Sequence, residues 1–343
     1  MTKKYLLVVG GLVFALGMAL ETPAQRVVSS TPIGPIWQMQ RPRLGIRAGE
    51  GVALGPNGRA VVFMGEPEPG PSYASLLVVE LETGKKTVLR ACDNFVMPSQ
   101  PRFSPDGEQV VFVLHGPTWY YTSDIYVVDI DGQGLTKLTQ SVAYIDKPGY
   151  PIGPKSNEYW VGAAYQRYYG SPRYSPDGSR ILLQVHDVVG QIRDFTAVMN
   201  PDGSDLQILA EGRPCCWSAD GKAVYYHHKG FLTRMDLETR TTRTVPLPSL
   251  QDRTPIGRMA GREWLAFRLN NGRIGWFNFG TATRAPEFIG EWSVPPVRMG
   301  GQEELALKGF DWSRSSEVLL WYQGEGTERF EVVRIFGPAS LSR

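Results

Sequence analysis

The chain has 343 residues, a formal net charge of +2, 42% apolar residues and 20% charged ones. That is long and apolar enough to bury a core, and it lacks the charge excess of a disordered tail. Its 38 glycines and 26 prolines follow no collagen period and favour short strands joined by turns, while the absence of a Lys/Arg block excludes nucleic acid as the main partner.

Lys3 and Lys4 precede the apolar run Tyr5 to Leu20, which gives way to Thr22-Pro23-Ala24-Gln25. That order is the pattern of a secretory signal peptide cleaved near Ala24. The run is shorter than the roughly 20 residues a membrane span needs, so residues 1–24 are expected to be removed, with an uncleaved anchor as the alternative. The mature chain, 25–343, then carries +1 and is periplasmic or secreted, with no stable membrane span. The cysteines are Cys92, Cys215 and Cys216. An odd count leaves at least one free or paired outside the chain. Buried thiols are expected, and a link from Cys92 to one of the pair stays open. On one regular strand Cys215 and Cys216 would point to opposite faces.

A repeat runs through the rest of the chain. Phe103-Ser104-Pro105-Asp106-Gly107 leads into Val110 to Val113, Tyr174-Ser175-Pro176-Asp177-Gly178 into Ile181 to Leu183, and Trp217-Ser218-Ala219-Asp220-Gly221 into Val224 to Tyr226. Weaker copies begin at Leu54 and Trp312, and a degenerate one at Gly261. Asp-Gly and Asn-Gly accept the positive φ of a hairpin turn, and the β-branched and aromatic runs that follow suit buried strands. Behind each hairpin lies a second one. Ser75 to Leu81 returns through Lys86 to Leu89, Ile125 to Ile130 through Leu135 to Leu138, and Phe195 to Met199 through Leu206 to Leu209. Leu232 to Leu237 returns through Thr242 to Val245, and Ile274 to Phe279 through Pro286 to Ile289. Phe330 to Phe336 has no return strand.

Each full unit therefore holds four strands. The turn markers Gly58, Gly107, Gly178, Gly221, Gly261 and Ser316 are separated by 49, 71, 43, 40 and 55 residues, close to the length of a propeller blade. The fold expected is all-β: a single six-bladed β-propeller of four-stranded antiparallel blades over residues 25–343. An N-terminal strand, expected from Ile36 to Ile46, closes the ring and removes its open edges.

The Ser-Pro-Asp-Gly hairpin, the strand Ile125-Tyr126-Val127-Val128-Asp129-Ile130-Asp131-Gly132 and the ending Lys137-Leu138-Thr139 resemble the WD-like repeat of TolB-type six-bladed propellers. The same repeat occurs in the non-catalytic propellers of prolyl oligopeptidase-like peptidases. The resemblance spans about residues 49 to 337 and is strongest in the second and third units. It implies the propeller alone, since between Gln25 and Gly51 there is no room for the α/β domain that precedes the propeller in TolB.

Two connections on one face of such a propeller stand out. The 71-residue step places an insertion at 141–170 containing Tyr144, Tyr150, Tyr159, Trp160, Tyr165, Tyr168 and Tyr169, and the loop after His115 holds Trp119, Tyr120 and Tyr121. Aromatic residues on loops carried by a rigid scaffold offer contact area at low entropic cost. They form either a binding face or a cap that extends the core. His115 and His186 each fall eight residues after a turn glycine and His228 seven, which puts them at strand ends on that same face. Some sugar lyases with related propellers use histidine clusters around a metal, but strands away from the axis diverge too far to share an ion at about 2.1 Å. No metal and no cofactor are expected. The runs Asp129-x-Asp131-Gly132 and Asn200-x-Asp202-Gly203 resemble pieces of calcium loops, but lack the closing Glu and read as side-chain-capped turns.

No nucleophile elbow, zinc-protease helix or phosphate loop is present. Carboxylates assembled in space, such as Asp187 or Asp194 near Arg193, are the remaining catalytic option. The expectation is a monomeric recognition or scaffold module rather than an enzyme, binding an envelope or extracellular protein, a peptide or a glycan. Its binding residues are Trp119, Tyr120, Tyr121, Tyr159, Trp160, Tyr165, Tyr168, Tyr169, His115, His186 and Arg193. The alternative is a glycan lyase or hydrolase with its cleft on the same face.

Overall fold

A computed structural model describes residues 27–31, 51–65, 75–91, 97–116, 123–145, 163–189, 191–246, 257–258, 264–268, 274–279, 287–292, 297–299, 303–312, 317–323 and 328–335. The expected signal segment, the segment 36–46, the loop 117–122, the insertion's 146–162 and Cys92 lie outside them. Every regular element described is a β-strand, and among the described residues no helix is long and apolar enough to cross a membrane.

The described strands form six antiparallel sheets that follow chain order, except that β1 (Val27–Thr31) belongs to the last. Sheet one holds β2 (Val52–Leu54), β3 (Ala60–Gly65), β4 (Ser75–Glu80) and β5 (Lys86–Arg90). Sheet two holds β6 (Met97–Phe103), β7 (Gln109–His115), β8 (Ser123–Asp129) and β9 (Thr136–Lys137). Sheet three has five: β10 (Val142–Ile145), β11 (Ala163–Tyr174), β12 (Ile181–Val189), β13 (Gln191–Met199) and β14 (Gln207–Glu211). Sheet four holds β15 (Arg213–Trp217), β16 (Ala223–His228), β17 (Phe231–Asp236) and β18 (Thr242–Pro246). Sheet five holds β19 (Gly257–Arg258), β20 (Trp264–Arg268), β21 (Ile274–Asn278) and β22 (Glu287–Trp292). Sheet six holds β23 (Val297–Met299), β24 (Glu303–Trp312), β25 (Glu317–Gln323), β26 (Glu328–Ile335) and, at its edge, β1. The strand that completes sheet six is thus 27–31, paired Val27 to Ile335 and Thr31 to Val332, and comes earlier in the chain than the expected Ile36 to Ile46.

The inner hairpins form as their chemistry dictates. In each Ser-x-Asp-Gly turn the serine hydroxyl donates to the aspartate, as in Ser104 to Asp106 (2.5 Å) and Ser218 to Asp220 (2.6 Å), and accepts the amide that opens the next strand. The turn glycines Gly107, Gly178 and Gly221 have φ of 83°, 79° and 72°, a region that disfavours any side chain. They also receive the preceding unit: a Cβ on Gly107 would lie 3.3 Å from Pro56, on Gly178 3.6 Å from Pro105, and on Gly221 3.4 Å from Pro176. The outer turns are capped by their own side chains. Asp131 accepts from the Gln133 amide (2.9 Å), and Asp202 from the Ser204 amide and hydroxyl (2.9 and 2.6 Å).

The core lies between successive sheets. Val62, Met64 and Leu76 of sheet one meet Val110, Phe112 and Val128 of sheet two. Val111, Ile125 and Val127 meet Ile181, Leu183 and Val185 of sheet three, and Leu182 and Val198 meet Trp217 and Val224 of sheet four. Burial of each such aliphatic or aromatic side chain contributes about 1.5–3 kcal/mol. Tyr225 of sheet four meets the Phe279 ring edge-on at 5.1 Å. Strand β2 also lies against β24 and β25, bringing sheet one to sheet six. Cys215 and Cys216 are both buried in a single core cluster with Tyr225 and Phe279. A register shift between Pro214 and Cys216 breaks the alternation, so the two thiols do not take the opposite faces expected of a regular strand.

Candidate functional site

The two described ends of the insertion pair with each other and extend the third sheet. Val142 pairs with Arg167 and Tyr144 with Tyr165, so β10 and the first part of β11 lengthen sheet three on the face that carries the histidines. Across this extension Tyr168 lies opposite His186, which lies opposite Asp194. The Tyr168 and His186 rings stack at 4.3 Å with 15° between their planes. His186 Nδ1 is 2.6 Å from Asp194 Oδ1, and the other Asp194 oxygen accepts from Arg213 Nε of sheet four at 2.5 Å.

Two acceptors at 2.6 Å would repel, so the Nδ1 position carries a proton and Asp194 fixes the ring's orientation. Burial works to raise the Asp194 carboxyl, but the hydrogen bonds and charges of His186 and Arg213 outweigh it and hold the group well below the usual carboxylate range. Arg213 is aimed by the preceding residue. Gly212, at φ 129°, donates its amide to the Asp194 carbonyl (2.7 Å) and accepts from the Thr196 hydroxyl (2.9 Å). Asp194→Asn removes the carboxylate charge that His186 Nδ1 and the Arg213 guanidinium both face, and urea unfolding is expected to read a loss of about 1–3 kcal/mol at neutral pH.

The other face of sheet three carries a second ionic group. Asp187 lies opposite both Arg167 and Arg193, and its carboxylate takes Arg167 Nη2 at 2.7 Å. Arg193 is exposed and its guanidinium sits 5.6 Å from the centre of the Phe195 ring. Neither carboxylate therefore depends on Arg193: Asp187 uses Arg167, and Asp194 uses His186 and Arg213.

The remaining sequence candidates fall in different places. Tyr169 is 6% exposed and packs among Val111, Ile125 and Ile181 between sheets two and three, while its carbonyl accepts from the buried Ser123 hydroxyl (2.7 Å). Its ring belongs to the core rather than to the accessible face. Tyr165 lies in the paired part of β11. Trp119, Tyr120, Tyr121, Tyr159 and Trp160 are outside the described residues. His115 shares a 2.7 Å hydrogen bond with Ser99 through Nε2, and burial lowers it from 6.5 to about 4. His228 pairs with Phe231 across the tight Lys229-Gly230 turn, so the five-residue offset that leads from Val110 to His115 and from Ile181 to His186 leads from Val224 to Lys229. Among the described residues no three His, Cys, Asp or Glu side chains are grouped to hold a metal.

No family model matches the chain. Its fold is similar to that of an oligogalacturonate lyase from Vibrio parahaemolyticus, with 16% identity, 84% of this chain and 78% of that one covered, and a TM-score of 0.50. A second oligogalacturonate lyase, solved in complex with manganese, gives 15%, 86%, 79% and 0.50. TolB from Acinetobacter baumannii gives 14% identity over 84% of this chain and 64% of that one, at 0.44. At such identities the two lyases show a shared fold, an all-β propeller-like arrangement of four-stranded antiparallel sheets, and nothing of activity.

Proposed function

We propose that the chain is an exported six-bladed β-propeller, closed by the N-terminal strand β1, that acts as a recognition module. It binds a protein, peptide or glycan through the rim built on the extended third sheet. Six sheets in chain order and the pairing of β1 with β26 support the ring, and the signal-like start supports export. The observation that carries the binding reading is the Tyr168-His186 stack, held at the end of sheet three by Asp194 and Arg213. An aromatic ring beside a pinned imidazole and an ion pair provides contact area and polar groups without the entropic cost of ordering a loop.

Glycan and peptide arrays probed with the whole chain test this. Tyr168→Ala is expected to weaken the captured ligand about tenfold, the cost of losing one aromatic contact at an interface, while leaving thermal unfolding within a few degrees. No ligand on either array, or binding indifferent to Tyr168→Ala and Arg193→Ala, removes the reading. The His186-Asp194 pair favours a second reading, an acid–base enzyme on glycans, because a carboxylate-oriented imidazole is a proton-transfer group. Release of new reducing ends from an array-positive glycan, lost in His186→Ala, would establish it.

A further inference from the structure

Sheets two and three are copies that differ at one decisive place. His115 and His186 occupy the same register: His115 lies between Met97 and Ser123, His186 between Tyr168 and Asp194. Two residues on, Ser99 pairs with Val113 in sheet two where Gly170 pairs with Gln184 in sheet three. In sheet two the Ser99 hydroxyl occupies His115 Nε2. In sheet three that hydroxyl is missing, and His186 Nε2 has no hydrogen-bond partner among the described residues.

The space left by Gly170 is lined by polar groups. A Cβ built on Gly170 would lie 3.7 Å from His186 Nε2 and 3.4 Å from Gln100 Oε1, which accepts the Ser171 amide, so a side chain fits there in ordinary contact. Gln184, on the same sheet face as His186, is 6% exposed, and its amide nitrogen is buried without a hydrogen-bond partner. Its amide oxygen is 3.4 Å from the Ser171 hydroxyl. An unpaired buried N–H costs free energy that a ligand oxygen recovers. In the tautomer with its proton on Nδ1, facing Asp194, Nε2 is the acceptor of the ring.

We propose that this notch binds a hydroxyl group of a neutral saccharide. The hydroxyl accepts from Gln184 and donates to His186 Nε2, while Tyr168 faces the sugar ring. A carboxylate meets only one of these demands: it can accept from Gln184, but it turns lone pairs toward Nε2 and toward Gln100 Oε1, with the Asp194 charge behind. The notch therefore selects sugars by hydroxyl rather than by acid. This rests on the recognition reading above and narrows it to glycans.

The test copies sheet two into sheet three. Gly170→Ser places a hydroxyl where Ser99 has one and caps His186 Nε2 from within. Gln184→Leu removes the buried donor and keeps the packing. Wild type and both variants are titrated, as the full chain, against immobilised neutral gluco-, manno- and galacto-configured tetrasaccharides, the corresponding uronate tetrasaccharides and a peptide array, with thermal unfolding measured alongside. The expected result is binding to at least one neutral tetrasaccharide that falls about tenfold or more in each variant, with the melting midpoint of Gly170→Ser unchanged or raised. Neutral-sugar binding untouched by both folded variants overturns the notch while the recognition reading stands, as does binding restricted to uronates or to peptides. A wild-type chain that binds nothing on any surface overturns both.

Discussion

Gly212→Val is expected to cost roughly 3–5 kcal/mol of stability, the sum of a side chain forced into a φ reserved for glycine and an overpacked contact. At φ 129° a Cβ would lie 2.6 Å from the His227 carbonyl oxygen and 3.0 Å from the His228 Cβ. The first of these is backbone inside a paired strand and cannot turn aside. The Gly212 amide also ties sheet four to the Asp194 carbonyl, so any shift that relieves the clash pulls Arg213 away from the Asp194 carboxylate. Urea unfolding gives the stability term. An accompanying loss of ligand binding, measured well below the unfolding midpoint, gives the positional one. A variant as stable as wild type would mean that the connection into sheet four tolerates a side chain and that Arg213 is aimed by something else.

Acid should unfold the chain in a window set by His115. Its folded value is lowered by burial to about 4 from 6.5, so the unfolded chain binds the proton first. The stabilisation is complete above 6.5 and declines as pH falls toward 4. A difference of that size corresponds to about 3 kcal/mol. His115→Asn keeps a partner for Ser99 but does not titrate, so its stability should be lower at pH 7 and nearly flat from there to pH 4.5. Asp194 acts in the same direction at lower pH: its carboxyl is held below the usual range by His186 and Arg213, so its contribution is retained until pH falls below the ordinary carboxylate value. Equal slopes for wild type and His115→Asn between pH 6.5 and 4.5 would show that His115 is protonated without penalty.

The turns and strand pairs were legible because their chemistry is local. Ser-Pro-Asp-Gly specifies its own hydrogen bonds, and the β-branched runs beside it have no other burial available. What the sequence hid depends on register. The edge strand of sheet six gains its partner from the far end of the chain, so nothing near Val27 distinguishes 27–31 from 36–46. The shift at Pro214 brought two adjacent thiols into one cluster against simple alternation. His186 and Asp194 were recoverable, because they are equidistant from Gly190 and any hairpin centred there pairs them. Arg213 was not, since it arrives from the next sheet, and neither was the correspondence of Ser99 with Gly170, which appears only once the hairpins of sheets two and three are laid strand upon strand.

The contacts of Pro56 with Gly107, Pro105 with Gly178 and Pro176 with Gly221 lie at the opposite end of the sheets from His186. Sheets two, three and four are each thereby docked onto the preceding sheet by the same small joint, whatever their far ends carry. In these three sheets one end thus works as a common socket and the other as an interchangeable head. Grafting the stretch 163–196 onto a related hairpin array should transplant its ligand preference without redesigning the joints that hold the array in order.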